Sequence, residues 1–110
     1  MARTREQRKF ERVSFEAKAV VVVEGGGGEL IGQTRDISIG GVFVTGISAA
    51  FGTRVDVQLI VDSRTSVRLP GVVRWADSAG IGIQFALLGA RETYVLTEIV
   101  GRRRHARSSN

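Results

Sequence analysis

The chain has 110 residues, enough for one domain, and a second core could not be buried in that length. It carries a formal net charge of +5 and 43% hydrophobic residues, with no cysteine and a single histidine, His105. That composition excludes disulfides and thiolate chemistry, and it leaves the usual zinc ligand sets short of ligands.

Residues 1–18 hold six basic and three acidic side chains, and residues 1–12 read as a flexible basic leader without apolar periodicity. From Val13 the pattern alternates. Val13, Phe15, Ala17, Ala19, Val21 and Val23 share one parity, while Ser14, Glu16 and Lys18 take the other, which predicts a strand with one wet face at first. Glu24 to Gly28 predicts a turn, because consecutive glycines reach backbone angles closed to other residues. A second strand follows from about Glu29 into Asp36, and after Gly40 and Gly41 a short one covers Val42 to Val44. Irregular chain is expected over Ile47 to Thr53, and then Val55, Val57, Leu59 and Val61 alternate again. Asp62 to Thr65 reads as a turn, and Ser66 to Trp75 as a long strand broken by Pro70 and Gly71. Asp77 to Gly80 turns the chain before a last strand carrying Ile81, Ile83 and Phe85.

After Gly89 the period changes. Val95, Leu96, Ile99 and Val100 recur at helical spacing, and Gly101 is expected to stop that helix. Residues 101–110 hold four arginines and no acid, and read as a basic disordered tail. The sum is a mainly β domain over residues 13–100, a six-stranded antiparallel barrel with a C-terminal helix to cover an open end or edge. The longest apolar stretch, Ala19 to Val23, is far below the roughly 18 residues a membrane span needs, so the chain is expected to be cytoplasmic and not membrane-inserted. The positive charge at both ends favours phosphate-bearing partners.

Two short segments carry the candidate chemistry. One is Arg8-Lys9-Phe10-Glu11-Arg12, and the other is Asp36-Ile37-Ser38-Ile39-Gly40-Gly41 between two predicted strands. Alone, arginines four apart in a charged leader are usually solvated or paired with glutamate, and Asp-x-Ser before glycine is a common way to close a turn. Together, at one hairpin's separation, they resemble the two signatures of the PilZ family, R-x-x-x-R before the first barrel strand and [D/N]-x-S-x-x-G after the second. Gly71-Val72-Val73-Arg74-Trp75 and Gly80-Ile81-Gly82-Ile83-Gln84-Phe85 are similar to the family's late strands, so the likeness runs from about Arg5 to Val100.

The resemblance implies a PilZ-type barrel that binds cyclic di-GMP as its ligand, with no cofactor or metal, and acts on an unidentified protein target without catalysis. It places Arg8 and Arg12 on the phosphates and the guanine O6/N7 edge, since a guanidinium can fork to phosphate, donate to O6/N7 and stack on a base. Asp36 is implied at the guanine N1-H/N2-H edge with Ser38 beside it, and Gly41 at a close approach of backbone to base, with Lys9 and Gly40 as secondary contacts. In the family the position before the first arginine biases ligand stoichiometry; Gln7 stands there, leaving one ligand and an intercalated pair both open. Competing functions are a small basic barrel binding RNA or single-stranded DNA, which few surface aromatics would serve poorly, and a PilZ-like adaptor working through protein contacts alone. Trp75 is expected in the barrel wall or rim and Tyr94 in helix packing, while His105 has no evident orienting partner.

Overall fold

The computed structural model describes residues 11–108, with side chains through Arg103. Its elements in chain order are β1 (Val13–Ser14), β2 (Lys18–Val23), β3 (Glu29–Ile37), β4 (Gly41–Thr45), β5 (Arg54–Ile60), β6 (Ser66–Ala76), β7 (Gly80–Phe85) and α1 (Ala90–Ser108). Every pairing is antiparallel. The ladder runs β3-β2-β5-β6-β7-β4 and closes where β4 pairs back onto β3, giving the expected six-stranded barrel with its C-terminal helix.

The alternating valines and leucines explain the closure. Val21, Val57, Leu59, Leu69, Val73 and Ile81 point inward and are fully buried, and Leu96, Ile99 and Val100 of α1 complete the same cluster from one side. Each such side chain contributes roughly 1.5–3 kcal/mol when taken fully out of water. The glycine tract makes the β2–β3 turn as expected: Gly25, Gly26 and Gly28 all adopt positive φ, and Val23 N donates to Gly28 O at 2.9 Å.

The first predicted strand is divided. β1 and β2 both lie along β3, with Ser14 opposite Asp36 and Lys18 opposite Gln33, so the first strand spends one residue more than β3 over this stretch. Buried Thr34 fills the gap: its Oγ1 accepts from Ala17 N at 2.8 Å and donates to Phe15 O. These bonds satisfy main-chain groups that the interrupted ladder leaves over.

Two expectations are corrected. Pro70 and Gly71 do not break β6, which runs unbroken through both. Pro70 O accepts from Ala86 N at 2.8 Å, and since a strand residue turns its nitrogen and carbonyl to the same neighbour, the missing N–H faces Ala86, just past the end of β7, and forfeits only the reciprocal bond of that last pair. Gly101 does not stop the helix, which continues to Ser108, so residues 101–108 are helical and not a disordered tail. Glycine ends a helix by adopting a left-handed conformation, and Gly101 does not take one. The extended helix is tied back to the barrel by Arg103, whose Nε donates to Ser14 O at 2.9 Å on the side of β1 facing away from β3.

Candidate functional site

One feature of β3 builds the site. Its pairing with β4 slips by one residue between Thr34 and Asp36, so Arg35 has no partner across the ladder. Thr34 and Ile37 on either side are buried, and the bulge turns both Arg35 and Asp36 to the outer face. Strict alternation would have put a carboxylate into an apolar barrel.

Arg12 and Asp36, expected to share a site, are brought together. Arg12 Nη1 bonds Asp36 Oδ1, and Asp36 Oδ2 takes a second bond from Arg35 Nε at 3.0 Å. The Asp36 side chain is only 20% exposed, against 55% for Arg12 and 57% for Arg35, so it sits as a recessed acceptor between two more accessible arginine side chains. Arg8 and Lys9, and the leader they belong to up to Phe10, lie outside the described residues.

Ser38 is buried and holds the turn into β4. Its Oγ accepts from Gly40 N at 3.0 Å and Gly41 N at 3.1 Å, while Ser38 N donates to Gly41 O at 2.8 Å. The turn fixes where Asp36 leaves the barrel. Gly41 has no positive φ, and a Cβ there would lie 2.5 Å from Ile83 O, so the approach of β7 by itself requires glycine.

A row of cross-strand neighbours extends the site over the outer wall. Ser14 pairs with Asp36, Asp36 with Phe43, Phe43 with Gly82 and Gly82 with Trp75. A second slip in register between Val73 and Trp75 marks the far end of that row. Trp75 is on the rim as expected but 62% exposed, and its Nε1 donates to Asp77 Oδ2 at 3.1 Å. Asp77 also accepts from Ala79 N and Gly80 N. The Trp75 bond first, and the Ala79 backbone bond next, hold the Asp77 carboxyl below the usual carboxylate range. One aromatic expectation is corrected: Tyr94 does not pack into the helix interface but is exposed, and Phe51 is exposed as well. Nothing is described of the His105 side chain.

Sequence reading missed Arg35 and Thr34. The available signal for Arg35 was a conflict: the alternation of β3 continued through Thr34 assigns Asp36 to the core, and an acidic side chain there demands an extra residue in the strand. Among the described residues no group of three or more His, Cys, Asp or Glu side chains is placed to hold a metal, and no helix is long and apolar enough to cross a membrane.

The barrel and this outer-face constellation define a class of small antiparallel domain with an arginine-carboxylate pair beside a serine-closed turn. The PilZ domain family model matches residues 6–100, and the chain belongs to that family. Solved structures agree in fold. The PilZ domain of CeSA from a cellulose-synthesizing bacterium aligns with TM-score 0.68 and 18% identity, covering 82% of this chain and 94% of that one. The PilZ domain of YcgR from Escherichia coli, determined with c-di-GMP, aligns with TM-score 0.74 and 13% identity over 94% and 96% of the two chains. The Bacillus subtilis inhibitor of motility, MotI/DgrA, gives TM-score 0.73 and 19% identity, covering 91% of this chain but 52% of that one. No curated protein matches the sequence.

Proposed function

We propose that this chain is a receptor for cyclic di-GMP that relays ligand occupancy to a protein target in the cytoplasm and catalyses no reaction. The observation that carries the reading is the convergence of Arg12 and Asp36 on one patch of the outer wall, next to the turn that Ser38 closes. Membership of the PilZ family and a YcgR relative determined with that nucleotide support the choice of ligand.

The residue chemistry fits a doubly anionic guanine macrocycle. Arg12, with Arg8 from the leader, supplies planar cationic forks for the phosphates and the O6/N7 edges. An ionised Asp36 is acceptor-only and suits the N1-H and N2-H donors of a guanine, which no phosphate-binding lysine could address. Both its oxygens already accept a guanidinium bond, and a carboxylate has about four acceptor sites, so capacity for the base remains. Ser38 and Gly40 then serve chiefly by fixing the turn, with Gly41 setting its distance from β7 and Lys9 adding charge. The leader folds across this patch as a strap when ligand is bound, and the partner reads that change.

Calorimetric titration of point variants tests the assignment. A charge-assisted bidentate contact is worth about 1–3 kcal/mol, so Arg8→Ala and Arg12→Ala are each expected to weaken binding at least about tenfold in a protein that still folds. Unchanged affinity in both variants would remove the two arginines from the site.

A further inference from the structure

We propose that Arg35 is a third arginine of the ligand site, a fixed guanidinium plate on which one guanine of the cyclic dinucleotide stacks. The inference rests on the reading of the chain as a cyclic di-GMP receptor and adds a residue that neither signature motif contains.

Phe43 poses the question. It lies on the outer side of the barrel, in the row with Asp36 and Gly82, and yet only 5% of it is exposed. Arg35 is one cover: its guanidinium carbon lies 4.0 Å from the Phe43 ring centroid, directly over the ring. Trp75 flanks the same ring across Gly82, where a Cβ would meet Trp75 Cβ at 2.9 Å and Phe43 Cδ2 at 3.7 Å. The ring is therefore a buried floor and the guanidinium a layer upon it.

That layer is held from two directions. Arg35 Nε donates to Asp36 Oδ2 at 3.0 Å, and its guanidinium carbon rests over the Phe43 ring, so the group is restrained by both. The side chain remains 57% exposed. A guanidinium seated over an aromatic ring in a side chain that is still more than half exposed is a candidate stacking surface for a purine, and guanidinium planes serve that purpose in base recognition. Its position beside Asp36 matters equally. A guanine resting there lies within reach of the carboxylate proposed to read its donor edge, so stacking and edge recognition act on one base. An exposed arginine ordinarily loses rotamer freedom on binding, whereas this one is already held, which favours affinity through preorganisation.

The β3 bulge makes this possible. Without the extra residue, Arg35 and Asp36 would point to opposite faces, and the plate and the acceptor could not serve the same base.

Charge and planarity are separated by two substitutions. Arg35→Lys keeps the cation and removes the plane, while Arg35→Ala removes both. Titration of cyclic di-GMP at one salt concentration is expected to show both variants weakened about tenfold or more relative to the unaltered chain. In the unaltered protein, saturation with cyclic di-GMP should shift the Arg35 side-chain proton resonances by the ring current of the stacked base. Wild-type affinity in Arg35→Ala, full rescue by lysine, or Arg35 resonances that do not move at saturation would overturn the proposal. The resonance measurement decides the matter even if a variant folds poorly. Failure of the unaltered chain to bind cyclic di-GMP would instead strike at the receptor reading itself.

Discussion

Asp77 ties the chain's single tryptophan to the turn before β7, and the tie is electrostatic. Because donors from Trp75, Ala79 and Gly80 hold the folded carboxyl below its usual range, the turn gains stability above the unfolded-state value near about 3.9 and loses it as pH falls through the lower folded value. Trp75 emission should therefore be constant from neutral pH to about 4 and change only below it. Asp77→Asn should abolish the acid step, and a midpoint above that of free aspartate would contradict the tie. At this scale the motifs singled out Arg12, Asp36 and Ser38, of which the first two pair and the third closes the turn that follows. The sequence concealed Arg35, because a one-residue slip decides which face a side chain takes and leaves no mark in composition.

Among the elements, alternation and turn chemistry located the strands of the barrel, since a closed wall with an apolar interior enforces period two on each of them. The misread points share a cause. Pro70 was read by its intrinsic preference, but its missing donor falls where the β6–β7 ladder has ended. Gly101 was read as a helix end, but the helix continues past it, with Arg102 paired to Glu98 one turn back at 3.7 Å and Arg103 anchored to Ser14 O at 2.9 Å. A contact distant in sequence bears on each, Ala86 for Pro70 and Ser14 for the end of the helix. A Cβ at Gly101 would meet nothing within 4 Å, so Gly101→Ala is expected to stabilise the protein by about 0.5–1 kcal/mol in urea denaturation. Destabilisation would mean that this glycine ends the helix after all.

For the whole molecule, barrel closure turns separate stretches of sequence into one surface. Basic charge stands at the two ends of the chain, and the bond from Arg103 to Ser14 brings the helix against the short strand that follows Arg12. Ser14 is in turn opposite Asp36, so the helix, the start of the barrel and the acidic turn meet at one place. Among the described residues, Arg12 and Arg103 are far apart in sequence, and the closed topology brings the elements that carry them together at Ser14. An anionic ligand approaching that region meets cations from more than one element, and its affinity should fall as salt rises.

The most direct measurement is a calorimetric titration of the full chain with cyclic di-GMP, run beside GTP and linear pGpG at the same salt concentration. Saturable binding of the cyclic dinucleotide, matched by neither linear nucleotide, is the predicted result. Folded protein that gives no saturable signal with cyclic di-GMP at high micromolar concentration would contradict it.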